Sequence, residues 1–298
     1  MRKGKVTTLD EAAKLVPDGV RIALGGFAIY QRPMAFTREL IRQGRKGLTL
    51  VGVTNSMEAD LLIAAGVVSR IETSYVGFEK YGLAKNFRRA CEQGDVEVVE
   101  YPELLSWDRF RASQENFSFW PAAGLGGTDV VNLNADIRPF RCPISGQIMH
   151  ALPAANPDVV VVHGLAADEF GNVVVPSFRN LPQSLDLTLA RCCDKVIVTV
   201  ERIVSDNFIR RHARLIEIPS ARVSAVIVTP FGAHPNSMLG RYASDDQHWN
   251  LYVEATQTPQ RFAAYLNDYV LTLTNHDAYL DKIGGAHLAS LLQVDTQQ

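Results

Sequence analysis

The sequence predicts an α/β fold in which an open, mainly parallel, twisted sheet is covered by helices on both faces. Strand-like and helix-like segments alternate at intervals of roughly 25 residues through the first half of the chain. Later strands are continuous runs of Val and Ile, as expected where a strand is buried on both faces. With 47% apolar residues, the 298-residue chain can bury a large core, and we expect one domain over residues 1–298.

The predicted elements have recognisable ends. The first helix begins at a capping box formed by Thr8 and Glu11, and Gly66 and Gly94 end two later helices. The predicted strands cover residues 20–24, 47–53, 69–78, 96–101, 157–164, 195–201 and 224–230. The predicted helices cover residues 9–15, 34–43, 56–66, 83–94 and 259–273.

The composition argues against several classes of function. The formal net charge is −2 without long blocks of like charge, which does not favour a nucleic-acid partner. No apolar run approaches the ~20 residues of a membrane helix, and the start lacks the apolar core of a signal peptide. We therefore expect a cytoplasmic protein without a membrane partner. The four cysteines have no metal or disulfide spacing, so we expect reduced, mostly buried thiols and no metal site.

Two adjacent glycines follow the first predicted strand. In "DGVRIALGGFAIYQRP" (residues 18–33), the apolar run ends at Gly25-Gly26-Phe27. Glycine lets the backbone turn with a positive φ and approach a ligand closely, and ligands bind at the carboxyl ends of strands in open α/β sheets. The stretch therefore indicates either a tight turn alone or a ligand site, and the glycines by themselves do not decide between the two.

The same stretch resembles the signature of the type I coenzyme A transferases. It departs from that signature at Gln31, where the family usually has Gly. The glutaconate CoA-transferase branch shares this kind of departure and has a basic residue before the Pro, as Arg32 is here. The matching positions are Asp18, Gly19, Ile22-Ala23-Leu24, Gly25-Gly26-Phe27 and Pro33.

The resemblance extends over about residues 5–290. Segments 142–147 and 157–173 are similar to the alpha subunits of 3-oxoadipate CoA-transferases. Segments 198–211, 230–242 and 276–288 are similar to those of glutaconate CoA-transferases. The resemblance implies the CoA-transferase (NagB/RpiA-like) type of α/β fold, with coenzyme A as a substrate and no tightly bound cofactor.

The resemblance also implies that the chain is half of an enzyme. In these transferases a glutamate in a Ser-Glu-Asn-Gly motif of the beta subunit is the covalent nucleophile, which passes through a mixed anhydride and then a glutamyl-CoA thioester. The nearest segment here, "SQENF" (113–117), has the wrong order and lacks the Gly, so we interpret Glu115 as a surface carboxylate. The expected partner is a separate beta subunit, in an αβ or α2β2 complex.

Glu103 occupies the position at which these transferases commonly carry a glutamine that donates a hydrogen bond to the thioester oxyanion. An ionised carboxylate cannot donate and would repel that charge. Glu103 is then either a neutral donor in an apolar pocket or a general base that activates water. The second role is that of the glutamate in the similar steroid ring-opening thioester hydrolases. A third interpretation is a helix-opening carboxylate after Pro102 that favours the helix dipole.

Other candidate residues depend on the resemblance more than on their own pattern. An Arg before Pro is commonly a solvated side chain, and the Gly-rich segment 124–131 lacks a strand–Gly–helix phosphate cradle. The resemblance nevertheless implies an acyl or carboxylate pocket, with an arginine as carboxylate clamp, and a Gly-rich active-site loop. The residues predicted to bind substrate or CoA are Gly25, Gly26, Phe27, Arg32, Gly126 and Gly127.

Three polar residues near strand ends are interpreted as structural. His163 and His234 end or follow apolar strands, where a histidine bonded in the interior is more common than a catalytic one. Glu201 closes a strand beside Arg202, and we expect a buried ion pair or a capping role for it.

Three functions follow, in descending order of support. The first is the alpha subunit of a CoA-transferase that moves CoA between acyl thioesters and carboxylates, with dicarboxylates favoured. The second is the alpha subunit of a CoA-thioester hydrolase of ring degradation, with Glu103 acting on water. The third is a non-catalytic effector-binding domain of sugar-phosphate-isomerase type, which a helix-turn-helix should precede, and residues 1–20 are too short for one.

Overall fold

Seven parallel strands form the central sheet. The computed structural model describes residues 4–125, 127–174 and 181–292, and all of their side chains except those of residues 181–183. The strands are β1 (Arg21–Leu24), β2 (Leu48–Val51), β3 (Val68–Thr73), β4 (Glu97–Glu100), β5 (Val159–Gly164), β6 (Val196–Val200) and β7 (Val223–Val228). Their order across the sheet is β7-β6-β5-β1-β2-β3-β4. The predicted α/β class is therefore confirmed.

Helices cover both faces of this sheet, as predicted. They are α1 (Leu9–Ala13), α2 (Met34–Arg42), α3 (Met57–Ala64), α4 (Lys85–Gln93), α5 (Glu103–Gln114), α6 (Val130–Leu133), α7 (Leu181–Leu189), α8 (Asp206–Arg211), α9 (Asp246–Ala255), α10 (Pro259–Leu266), α11 (His276–Ile283) and α12 (Gly285–Ser290). Alternate residues of the strands enter two separate cores. Ile22 and Leu24 pack with α2, α3 and α9, whereas Ala23 packs with α5 and α7.

Local signals in the sequence account for most of the element ends. Thr8 Oγ1 accepts the Glu11 N–H at 3.3 Å, which is one of the two hydrogen bonds of the predicted capping box. The predicted strand at 69–78 is shorter, because β3 ends at Thr73 and Tyr75–Val76 pairs with Thr54–Asn55 instead. The predicted helix at 259–273 changes at its end, since α10 continues as a π-helical turn over Asn267–Leu271.

Two smaller antiparallel sheets lie beside the central one. The first joins strands Phe119–Ala122, Ile148–Pro153 and Arg138–Arg141. The second joins Ala166–Ala167, Val173–Val174 and Ile216–Ile218. A two-stranded pair joins Thr54–Asn55 and Tyr75–Val76. The first of these sheets is not predicted from the sequence, because each of its strands contains a proline, which normally argues against a strand.

The cysteines are all free, but the expectation that they are mostly buried is wrong. Cys91 is exposed, and Cys142, Cys192 and Cys193 are partly exposed. Among the described residues, no group of three or more His, Cys, Asp or Glu side chains is arranged to hold a metal ion. In the same part of the chain, no helix has the length and apolar character needed to cross a membrane.

Candidate active site

The candidate site lies where the strand order reverses. Strands β2–β4 extend to one side of β1, and β5–β7 extend to the other. The connections after β1 and β5 therefore diverge, and in open α/β sheets such a point leaves a crevice at the carboxyl ends of the strands. Gly25-Gly26-Phe27 leaves β1 at this crevice. The fold thus puts the predicted loop where ligands bind in folds of this kind.

Both glycines of the loop are required by contacts inside the chain. Gly26 has a φ of +83°, and a Cβ there would lie 2.4 Å from the Tyr30 carbonyl oxygen. A Cβ on Gly25 would lie 2.4 Å from Asp186 Oδ1 and 3.0 Å from Val162. These contacts account for the two glycines as a tight, closely packed turn. Contact of either with a substrate stays a prediction.

The N–H groups of the loop are bonded within the protein. Gly25 N–H donates to the Val161 carbonyl at 2.7 Å, and Phe27 N–H donates to Tyr30 at 3.0 Å. Gly26 N–H donates to Asp186 Oδ1 at 2.7 Å. These three N–H groups are therefore already bonded, and contact of the half-buried Phe27 ring with a substrate stays a prediction.

Arg32 lies beneath the loop and is 1% exposed. Its Nη1 donates to the carbonyls of Leu24 and Gly25, its Nε donates to Ala28, and Nη1 is 3.3 Å from Glu58 Oε1. Burial lowers the pKa of Arg32, against the opposing charges of nearby carboxylates. The guanidinium thus bonds several backbone carbonyls in and around the loop. Its contact with a substrate carboxylate stays a prediction.

Asp186 is a buried polar residue at the candidate site that the sequence patterns did not predict. It lies in α7, is 5% exposed and accepts the Gly26 N–H. Burial raises its pKa to about 7, although the Gly26 hydrogen bond and the charge of Arg32 act in the opposite direction. An acidic residue between buried leucines at 185 and 187 was the signal that could have revealed it.

Glu103 is the first residue of α5 and is exposed. This position fits the interpretation of Glu103 as a helix-opening carboxylate, because a negative charge in the first turn interacts favourably with the helix dipole. One turn further on, the ring of Trp107 lies 6.2 Å from the ring of Phe27. Helix α5 thus approaches the loop through an aromatic contact, and Glu103 lies on the same face of the helix as that contact.

The Gly-rich segment is only partly described. Gly127 has a φ of +86° and is exposed in the turn before α6, and a Cβ there would meet nothing within 4 Å. Gly126 lies outside the described residues. Binding of substrate or CoA by either glycine stays a prediction.

His163 and Glu201 form a buried polar network at the ends of β5 and β6. His163 Nε2 lies 2.9 Å from Glu201 Oε1, and Tyr242 OH donates to the same oxygen at 2.9 Å. The other Glu201 oxygen accepts the Phe231 N–H at 3.0 Å. The structural interpretation fits both residues, but the partner of Glu201 is His163 rather than Arg202, which is exposed.

His234 is likewise bonded in the interior. Its Nδ1 lies 2.8 Å from Tyr279 OH, and its Nε2 lies 2.9 Å from Asp245 Oδ2, which His287 also contacts at 2.7 Å. Burial lowers the pKa of His234, against the effect of Asp245. These contacts hold the segment after β7 in place, and the segment in turn bonds the residues that follow the loop, because Gln31 N–H donates to Ser237.

Comparison with known proteins identifies the family. Residues 6–229 match the family model described as coenzyme A transferase. The chain belongs to the coenzyme A transferase family. The resemblance inferred from the motifs is thereby confirmed.

Several relatives of this CoA-transferase chain are similar over almost its whole length. It is 30% identical to the A subunit of glutaconate CoA-transferase of Acidaminococcus fermentans, over 96% of this chain and 94% of the relative. It is also 30% identical to the A subunit of 3-oxoadipate CoA-transferase of Pseudomonas knackmussii, over 94% of this chain and 98% of the relative. An uncharacterized protein of Archaeoglobus fulgidus is 36% identical over 95% of this chain, which spans 63% of that longer protein.

The solved structures give the same result. The crystal structure of glutaconate coenzyme A-transferase from Acidaminococcus fermentans superposes with a TM-score of 0.93 and 29% identity, over 98% of this chain and 96% of that chain. A more distant relative is a subunit of the cholesterol ring-cleaving hydrolase of Rhodococcus jostii, 26% identical over 90% of this chain and 93% of the relative. The relatives named here thus carry the names of two kinds of reaction, CoA transfer and hydrolysis.

Proposed function

We propose that the chain is the alpha subunit of a CoA-transferase that moves CoA between an acyl thioester and a carboxylate, with a dicarboxylate such as glutaconate or 3-oxoadipate as one substrate. The observation that carries this proposal is the similarity to glutaconate CoA-transferase over nearly all of both chains. A separate beta subunit supplies the nucleophilic glutamate, in an αβ or α2β2 complex. Coenzyme A is a substrate, no cofactor is tightly bound, and we expect a cytoplasmic protein.

The surroundings of Glu115 support a covalent nucleophile that comes from the partner subunit and not from this chain. Glu115 caps the far end of α5, is exposed and accepts a hydrogen bond from the neighbouring Gln114 side chain. It lies about 18 Å along the helix from Glu103, the end that approaches the Phe27 loop. A nucleophile for the thioester carbonyl is therefore expected from the partner subunit.

A hydrolase remains the second candidate, and the placement of Glu103 favours it. The exposed carboxylate begins the helix whose Trp107 contacts Phe27. A carboxylate open to water beside an acyl site can act as a general base, which is typically worth 10²–10⁴-fold in rate. The similarity to a ring-cleaving hydrolase subunit supports this role for Glu103.

One experiment separates the two reactions. The chain is purified in complex with its beta subunit, and acetyl-CoA is offered with and without glutaconate or 3-oxoadipate. New thioesters are measured by chromatography, and free CoA is measured with a thiol reagent. We expect new thioester only with an acceptor, no free CoA, and an activity of Glu103→Gln within about threefold of the wild type, since glutamine can donate to an oxyanion.

A matched variant controls for general effects on α5. Glu115→Gln makes the same substitution at the other, equally exposed end of the helix, and we expect wild-type activity from it. Free CoA that appears without an acceptor, and that falls about 100-fold or more only in Glu103→Gln, would overturn the transferase and establish the hydrolase.

A further inference from the structure

Three charged side chains lie together beneath the Gly25–Phe27 loop. Arg32 precedes α2, Glu58 lies in α3 and Asp186 lies in α7, and all three are almost fully buried. Arg32 holds the carbonyl side of the turn, because its Nη1 donates to Leu24 and Gly25 at 3.2 and 3.1 Å. Asp186 holds the amide side through the Gly26 N–H. The loop is thus fixed from below by a cation and an anion that come from different elements.

The cluster contains two carboxylates and one cation, and the two carboxylates are not equivalent. Glu58 accepts hydrogen bonds from Asn55 Nδ2 and Ser56 N–H at 3.0 to 3.2 Å and also faces Arg32. For Asp186, burial raises the pKa to about 7. Among the described residues, Arg32 is the charged group that acts on Asp186 directly, and Glu58 in turn acts on Arg32. Burial thus brings the pKa of Asp186 into the range in which its carboxylate can gain a proton near neutral pH.

We propose that Asp186 is a positioning residue that fixes the Gly25–Phe27 loop, and that protonation of Asp186 weakens binding of the acyl group at the site. The ionised carboxylate makes a charge-assisted hydrogen bond to Gly26 N–H, and such bonds are stronger than neutral ones. The loop in turn sets where the Phe27 ring lies against Trp107. The inference rests on the proposed function only in taking Phe27 as part of the acyl site.

The test uses two variants and a matched control, each in complex with the beta subunit. Asp186→Asn keeps an oxygen that can accept the Gly26 N–H but cannot titrate, and Asp186→Leu removes the acceptor. Asp60→Asn is the control, because Asp60 is equally buried with its pKa raised to about 6, yet its partners are Asn86, Phe87 and Tyr252.

The first readout is the KM for acetyl-CoA at pH 6, 7 and 8, measured whether the thioester is transferred or hydrolysed. We expect the wild-type and Asp60→Asn values to rise several-fold from pH 8 to pH 6, and those of Asp186→Asn to stay flat. In Asp186→Leu the KM should rise about tenfold at every pH with a smaller change in kcat, as expected when a buried N–H loses its acceptor. If Asp186→Leu does not fold, the pH dependence of the KM of Asp186→Asn decides the test.

The second readout needs no substrate. The fluorescence difference between each complex and its Trp107→Phe derivative reports the surroundings of Trp107, which include Phe27. We expect a transition near pH 7 in the wild type and in Asp60→Asn, and none in Asp186→Asn. A transition that survives in Asp186→Asn, or KM profiles that are the same for Asp186→Asn and Asp60→Asn, would overturn the role of Asp186. A complex without thioester turnover would count against the proposed function, and the fluorescence would still decide the role of Asp186.

Discussion

Gly26→Ala tests whether the loop after β1 is held by close packing. Gly26 has a φ of +83°, which costs a residue with a Cβ about 1–2 kcal/mol. The new Cβ would also lie 2.4 Å from the Tyr30 carbonyl oxygen and 2.8 to 2.9 Å from backbone atoms of the next two residues. Because these neighbours are backbone atoms, the loop must shift, and such overpacking costs about 1–3 kcal/mol. We therefore expect the free energy of unfolding to fall by about 2–5 kcal/mol.

Gly19→Ala is the matched control for this prediction. Gly19 has a similar φ of +76°, but a Cβ there would meet nothing within 4 Å. It should therefore lose only the conformational part, about 1–2 kcal/mol. Urea denaturation followed by circular dichroism gives both free energies of unfolding. If Gly26→Ala loses no more than Gly19→Ala, the described packing of the loop is wrong.

Two further predictions concern ionisable groups outside the loop. Burial opposes the charge of Glu72, but the hydrogen bond from Arg21 and the charge of Arg109 outweigh it and lower its pKa to about 2. The ionised Glu72 therefore contributes up to about 3 kcal/mol to the free energy of unfolding above about pH 4.5, and this contribution is lost towards pH 2. Glu72→Gln should abolish this part of the acid dependence in urea titrations, and an unchanged dependence on pH would contradict the prediction. Hydrogen bonds from Ser145 lower the pKa of the Cys142 thiol, whereas burial raises that of Cys192 to about 12. A thiol reagent at pH 8 should therefore modify Cys142 first and Cys192 only on unfolding, and equal rates by mass spectrometry would refute this.

Much of the fold could be predicted because its signals are local. Strands β5, β6 and β7 are continuous apolar runs, and the capping box at Thr8 marks the start of α1 by neighbouring residues alone. The small sheet around Ile148–Pro153 could not be predicted in this way. Its strands contain prolines and are stabilised by pairing with one another rather than by their own propensity.

The site was harder to predict than the fold because its contacts are distant in sequence. The loop Gly25–Phe27 was found because glycines after a strand carry a local meaning. Asp186 was missed because its hydrogen bond to Gly26 spans 160 residues and exists only once α7 packs beneath the loop. An Arg before Pro predicts a solvated side chain, whereas Arg32 is buried against Glu58, which sequence spacing does not place beside it.

The proposed division into two subunits is tested most directly by finding which of the two chains carries a covalent adduct during turnover. The complex of this chain with its beta subunit is incubated with acetyl-CoA, without an acceptor, and the intact masses of both chains are measured. We expect the mass of CoA less one water to be added to the beta subunit, because a glutamyl-CoA thioester forms as acetate leaves, whereas this chain, which lacks the nucleophile motif, is unchanged. An adduct on this chain, or free CoA released with no adduct on either chain, would contradict it.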